Sequence, residues 1–408
     1  MSKKLDFLMI SIMIILNGCC FYFMKILSEL KLFDFGGQYK ICAYTLKGFD
    51  PYLLVGVDPP PIEEIGVIPQ GWGTSPWGLF LGNFFYPGYL SFDLAVKYFI
   101  ILNIILLIIT SLIFYIKFKN FSDSLGVLTL ITFLCSTNFV VAVFFGNAGS
   151  IIVCLLLISC AIYKKFPIVA SVLISLAMVK PQVAIPICFW LLIRKNFKVI
   201  MIAAVIDLSA WLISSLLIKK SPLTLLNEFF NCGVGGGVQF NGIFHLAFDN
   251  FNTAIMFSML AGIIYMLIMN FLIDDRTPEI FSIYPACIAS SFWCYSFFCD
   301  LYILIVPTVI CMFIVKFSKE LCKKIFWFIL GIYSQVGFIL WTEITAIKDL
   351  HKDTIFKILF DTEIFTTIFD RALDHYIRTG FEVIMIIIGF LICYEFKINY
   401  SNYFKRQF

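Results

Sequence analysis

Apolar runs long enough to cross a bilayer recur along this chain, and polar residues are mostly confined to the connections between them. In lipid no water is present to satisfy a backbone N–H or C=O, so each such run must close on itself as a helix. Hydrophobic residues make up 61% of the 408 and charged residues only 14%, with a mean hydropathy of +0.95. Soluble domains carry about 25% charged residues. The expected fold is therefore an all-α polytopic membrane protein, organised as one membrane-embedded domain over residues 1–408. At about 20 apolar residues per span, about twelve transmembrane helices are expected. They fall near 7–24, 94–116, 125–144, 148–163, 166–179, 182–193, 199–218, 254–273, 280–297, 300–317, 325–342 and 381–396. The pair 166–179 and 182–193 meets at Lys180-Pro181-Gln182 and reads either as two short helices or as one re-entrant hairpin.

Charge orients the set. Lys3/Lys4, Lys117/Lys119, Lys164/Lys165, Arg194/Lys195/Lys198, Arg276, Lys316/Lys319/Lys323/Lys324 and Lys397/Lys405/Arg406 fall on alternate connections. Positive residues near span ends mark the cytoplasmic side, so both termini are expected there. Lys219 and Lys220 run against the pattern. The N-terminal run follows Lys3 and Lys4 and carries no small-residue cleavage site, which fits a retained span rather than a removed signal peptide. The setting this suggests is a bacterial cytoplasmic (inner) membrane.

The opposite side then receives the unusual polar residues: the first loop (about 25–93), Phe145-Gly146-Asn147, Lys180-Pro181-Gln182, the Gly-rich loop 231–242, Asp300 and the loop 343–380. Segments 28–35 and 38–46 of the first loop have apolar residues at helical spacing, and Trp72, Trp77, Phe84, Phe85 and Tyr86 supply aromatics. The expectation is amphipathic helices lying at the interface.

The net charge of +4 gives no footing for nucleic acid. Most of the fourteen cysteines lie in apolar runs, where Cys acts as a small hydrophobe, and the three histidines do not cluster. No metal site and no cofactor are expected.

The stretch 34–52, DFGGQYKICAYTLKGFDPY, is the densest polar segment beside a span. Asp34, in partly apolar surroundings, has the character of a general base; the plainer alternative is a helix-end carboxylate. Gln38, Tyr39 and Tyr52 are candidate substrate contacts. Asp50, before Pro51, is either a further contact or a turn cap. Lys180 suits a phosphate, or else snorkels to the interface, and Gln182 lies beside it. Asp300 positions a sugar or a cation, or else caps its helix, with Tyr302 close by. Asn147 and Asn241 are candidate partners for sugar hydroxyls or simple turn residues. Gly235-Gly236-Gly237 lacks the Lys-Ser/Thr of a phosphate loop.

The order of these motifs resembles glycosyltransferase family 87. Its members are polytopic C-superfamily transferases that include polyprenol-phosphate-mannose-dependent mannosyltransferases. The resemblance rests on Asp34 soon after the first span, Tyr39, the Gly48-to-Tyr52 turn, Ser75-Pro76-Trp77, Gly146-Asn147, Lys180-Pro181-Gln182, Asn241 and Asp300-Leu301-Tyr302. It covers about residues 30–310. It implies that Asp34 deprotonates an acceptor hydroxyl, which attacks the anomeric carbon of a polyprenyl-phosphate-linked sugar with inversion and without a metal. It also implies that Lys180 steadies the departing lipid phosphate, and that the partners are membrane lipids, the lipid-linked sugar and a glycolipid or glycan acceptor. Gly146-Asn147 stands where the family has Gly-Gln, Asn241-Gly242 replaces a longer Asn-Gln-Ser element, and a single Pro76 replaces Pro-Pro. These departures bear on the sugar and the acceptor.

Two other classes fit an envelope setting. A transporter or flippase for a lipid-linked saccharide should show inverted repeats and ionisable residues at the membrane midplane. A polysaccharide polymerase or ligase is expected to use Arg or His in a large outer loop, for which Arg371, His375 and Arg378 are the candidates.

Overall fold

The computed structural model describes residues 33–53, 74–235, 244, 251–274, 277–293, 298–350 and 363–400, together with Ser11 and Ile15. Among the described residues every regular element is helical. The chain divides into two compact units that interrupt one another in sequence. One comprises Leu16–Leu134 and Phe139–Gln239; the other comprises Met1–Ile15, Cys135–Asn138 and Phe240–Phe408.

The first unit is built from α1 (Phe33–Leu46), the single turn α2 (Gly78–Leu81), α3 (Phe92–Lys119), α4 (Asp123–Leu134), most of α5 (Thr137–Phe144), α6 (Gly149–Ile162), α7 (Pro167–Ala177), α8 (Pro181–Ile193), α9 (Phe197–Ile218) and α10 (Pro222–Gly235). In α3 the exposed side chains include Ile101, Ile104, Ile105, Ile108, Leu112 and Ile116, while the buried stripe contains Asn103, Thr110 and Ser111. Polar inside and aliphatic outside is the reverse of a soluble helix, and it is what a lipid environment requires. Where the surroundings are as apolar as Leu, helices associate through close packing and hydrogen bonds rather than by hiding apolar surface from water. Ser150 of α6 donates to Asn103 Oδ1 at 2.6 Å. A bond of this kind contributes about 0.6 kcal/mol on average in a membrane bundle. The same outward stripe recurs in α9 with Met201, Val205, Leu208, Leu212 and Leu216. Asp207 of that helix is turned toward α7, where Ser175 donates to its Oδ1 at 2.5 Å.

The second unit contains α11 (Phe251–Leu272), the short α12 (Glu279–Ser282) and α13 (Tyr284–Ala289), a 3-10 helix Phe298–Leu304, α14 (Ile305–Phe317), α15 (Leu321–Leu350) and α16 (Glu363–Glu395). Helix α14 is enclosed, with every residue from Ile305 to Val315 buried. Gly331 of α15 lies against it where a Cβ would come within 2.8 Å of Met312.

The span expectation is met in part among the described residues. By length and composition, five helices among the described residues can cross a membrane: Phe92–Lys119, Asp123–Val140, Phe197–Ile218, Thr253–Leu272 and Asp300–Phe317. The expected spans at 148–163, 166–179 and 182–193 form helices of 14, 11 and 13 residues. At a rise of about 1.5 Å per residue they fall short of a hydrocarbon core about 30 Å thick. The Lys180 segment resolves as two separate short helices, α7 and α8, each opening on a proline. The expected span 280–297 breaks into α12 and α13, whereas the expected span 125–144 is matched over Asp123–Val140, within which α4 gives way to α5. The spans at 325–342 and 381–396 lie within α15 and α16, which run on as helix to Leu350 and from Glu363 through much of the expected loop 343–380. The first span, 7–24, lies outside the described residues apart from Ser11 and Ile15.

The first loop also differs from a set of surface-lying helices. Its longest described helix, α1, is packed into the unit with Phe35, Ile41, Tyr44 and Thr45 fully buried, and the single turn α2 follows later in the loop. Gly88 makes this possible, because a Cβ there would lie 2.4 Å from Ala43 N. After α1 the turn at Gly48 (φ +82°) leads to Asp50, whose Oδ1 accepts from Tyr52 N at 2.9 Å. Asp50 and Glu228 both pair with Lys220. A lysine held by two carboxylates adds no net positive charge to its connection, which accounts for Lys220 running against the charge bias.

Candidate active site

Three side chains singled out in the sequence meet in the first unit, and the termini of three helices bring them there. Asp34 stands in the first turn of α1, where the aligned peptide dipoles favour a negative charge. Its backbone N–H, one of the donors a helix start leaves without an intrahelical partner, donates to Phe145 O at 3.0 Å. Phe145 follows the end of α5, so the start of one helix satisfies the end of another.

Asn147 is placed by how α5 stops. Gly146 has φ +67°, its N–H bonds to Val143 O at 3.0 Å, and Asn147 N bonds to Ala142 O at 2.9 Å. These paired bonds around a left-handed glycine form a Schellman motif. Gly146 is required twice, since a Cβ would also lie 2.5 Å from Phe35 Cβ. Asn147 is then aimed back at α1, and its Nδ2 donates to Asp34 Oδ2 at 2.8 Å. Its Oδ1 accepts from Gly149 N at 2.8 Å and from Lys180 Nζ at 2.7 Å.

Lys180 sits at the break between α7 and α8, immediately before Pro181 at the first position of α8. The residue before a proline is driven out of the helical region, and Lys180 has φ −113° and ψ 82°. The break is held from the first loop. Trp77 Nε1 donates to Met178 O at 2.7 Å, and Ser75 Oγ accepts from Gly78 N at 3.2 Å. Ser75-Pro76-Trp77 is thus the part that fixes the approach to Lys180.

The remaining candidates sort by position. Gln38 accepts from Thr74 Oγ1 at 2.8 Å, and Tyr52 donates to Thr74 O at 2.7 Å, so both tie the stretch after Asp34 to the segment entering Trp77. Tyr39 donates to Leu90 O at 2.7 Å. Burial pushes the Tyr39 phenol above its ordinary range and the Lys40 ammonium below its own. Asp50 is bound up in the Tyr52 turn and the Lys220–Glu228 cluster. Gln182 is 5% exposed, in the first turn of α8. Asp300 and Tyr302 belong to the second unit, where both are buried in the 3-10 helix Phe298–Leu304. Asn138 donates to the intervening Leu301 O at 3.3 Å. Asn241, with Gly236 and Gly237, lies outside the described residues. The described cysteines are free thiols.

Sequence reading missed one residue of this site. Tyr86, expected as an interfacial aromatic, is 2% exposed. Its hydroxyl donates to Gly146 O at 3.2 Å and accepts from Ala148 N at 2.8 Å. Phe35 and Phe99 close on its ring at centroid distances of 5.3 and 5.6 Å. Only the local run of aromatics pointed to it, and such runs are ordinary in a chain with 47 Phe.

Chemically the array is a carboxylate and an ammonium, each hydrogen-bonded to one end of the same primary amide. The family model for glycosyltransferase family 87 matches residues 77–269. That stretch takes in Trp77, Tyr86, Asn147 and Lys180, and the resemblance read from the motifs is borne out over it. No curated protein and no solved structure matches the chain.

Proposed function

We propose that this chain, a membrane glycosyltransferase of family 87, transfers a hexose from a polyprenyl-phosphate carrier to a hydroxyl of a lipid or glycan acceptor. Asp34 is the general base. It takes the proton of the acceptor hydroxyl as that oxygen forms a bond to the anomeric carbon. The bond from that carbon to the phosphate oxygen breaks, its electron pair leaves with the polyprenyl phosphate, and configuration at the sugar inverts. Lys180 binds the departing phosphate. The reaction needs no metal, because the leaving group departs as a stable anion and a lysine meets its charge.

One observation carries this reading: Asp34 and Lys180 lie two hydrogen bonds apart, bridged by Asn147. A base and an anion-binding cation must flank the reacting carbon, and one amide, that of Asn147, bonds to both of this pair. The charge pattern of the connections supports a site on the non-cytoplasmic face of a bacterial inner membrane, with both termini cytoplasmic. Mannose is the proposed sugar, following the family resemblance.

The test is transfer by purified protein in lipid from radiolabelled polyprenyl-phosphate-mannose to a crude lipid extract, comparing wild type with Asp34→Asn. Transfer by wild type alone supports the reading. No transfer from any polyprenyl-phosphate sugar, together with movement of the carrier across the bilayer, would replace it with a flippase.

A further inference from the structure

We infer that Asn147 is a positioning residue that keeps the base and the phosphate-binding lysine apart and in register. The inference rests on the roles proposed for Asp34 and Lys180.

The argument begins with what the two charges would do alone. A direct Lys180–Asp34 ion pair would stabilise the carboxylate and make it a poorer base. The same pair would set the Asp34 carboxylate in competition with the donor phosphate for the ammonium. A neutral side chain between them lessens both penalties, since a hydrogen bond to a neutral amide holds either charge less strongly than an ion pair does, provided that it offers a donor to one and an acceptor to the other. Among neutral side chains only the primary amides of Asn and Gln carry an N–H donor and a C=O acceptor side by side. In Asn147 the Nδ2 faces Asp34 Oδ2, and Oδ1 faces both Lys180 Nζ and Gly149 N. Turning the amide over would set oxygen against carboxylate and N–H against two donors, so the contacts themselves fix its orientation.

The surrounding structure holds that amide still. The Schellman turn sets the backbone at 146–147, the Tyr86 hydroxyl bonds to the peptide groups on either side, and Gly149 N pins the side-chain oxygen. Asn147 itself is 7% exposed. A residue that simply bound a sugar hydroxyl would not need its oxygen committed twice within the protein.

The test uses full-length protein in lipid and the radiolabelled polyprenyl-phosphate-mannose assay, with kcat and donor KM measured separately for Asn147→Asp, Asn147→Leu, Asn147→Gln and Asp34→Asn. Misplacing a reacting group by about 1 Å can cost about 100-fold in rate. Asn147→Asp is isosteric but sets a second carboxylate against Asp34, so its kcat should fall about 10- to 100-fold with the melting temperature retained. Asn147→Leu should lose kcat to a similar degree, and Asn147→Gln, which keeps both amide ends, should recover part of it. A merely structural role predicts a lower melting temperature and no selective recovery by Gln. Wild-type kcat in Asn147→Asp beside an inactive Asp34→Asn would overturn the positioning role and leave the proposed reaction standing. Full activity of Asp34→Asn would remove the base itself, and with it the group that Asn147 is said to position.

Discussion

The Tyr86 hydroxyl sits astride Asn147, donating to Gly146 O at 3.2 Å and accepting from Ala148 N at 2.8 Å. One phenol therefore sets both peptide planes from which the Asn147 side chain departs. Tyr86→Phe keeps the ring between Phe35 and Phe99 but leaves two buried backbone groups short of a partner. Each unmet group costs about 1–3 kcal/mol. The variant should be less stable by about 2–6 kcal/mol, seen as a lower melting temperature, and its kcat should drop more than its donor KM rises. Steady-state kinetics beside thermal unfolding of detergent-solubilised protein check both, and an unchanged kcat would count against the bracing role.

Gly146 is more sharply constrained than the other described glycines near the site. It has a positive φ, and a Cβ would lie 2.5 Å from Phe35 Cβ and 3.0 Å from Phe35 N. A non-glycine residue held in such a conformation costs about 1–3 kcal/mol even before any clash. Gly146→Ala should therefore lose activity and stability together, whereas Gly37→Ala, where nothing lies within 4 Å of the added carbon, should leave stability near wild type. Equal melting temperatures for the two variants would contradict the packing described.

The Asp50–Lys220–Glu228 cluster gives a pH-dependent prediction. Burial lowers the pKa of the Lys220 ammonium, but its bonds to Asp50 and Glu228 outweigh that and hold it above the ordinary lysine value. Its stabilising contribution is complete below the ordinary lysine pKa and is lost as pH rises through the higher folded value. Burial first, and then the neighbouring Asp50, push Glu228 above the ordinary carboxylate range. For Glu228 stability is complete below the ordinary glutamate value and falls as pH rises through the folded one. Lys220→Met removes the cation that offsets both acids. Its loss of melting temperature relative to wild type should be small in acid, grow as Glu228 ionises, and level off above the raised value of Glu228. A deficit independent of pH across that ionisation would show that the lysine acts by packing alone.

The helical class and the polar residues at the site were legible because a run of apolar residues admits few structures and a cluster of polar ones at its end stands out. Lys180 was readable as a helix break because Pro181 follows it. The span count was less legible: hydropathy reports that a segment is apolar but not whether it is enclosed by other helices, and α6, buried from Gly149 to Cys160, is a short helix in such a setting. The partnership of Asp34 with Asn147, 113 residues apart, left no trace in local pattern. Neither did the pairing of Lys220 with Asp50, 170 residues apart, although the two lysines against the charge bias marked a place where a counter-charge was needed. Asn147 drew attention as a sugar contact, and only its three hydrogen bonds show it committed to Asp34, Lys180 and Gly149.

The most direct test of the account is the transfer rate of Asp34→Asn in lipid, with radiolabelled polyprenyl-phosphate-mannose as donor and the variant's fold confirmed by its melting temperature. The amide keeps the size of the carboxylate but cannot accept the acceptor's proton, and general-base catalysis contributes about 100- to 10,000-fold. The account predicts a loss of that order in kcat with little change in donor KM. Wild-type kcat in a folded Asp34→Asn protein would contradict it.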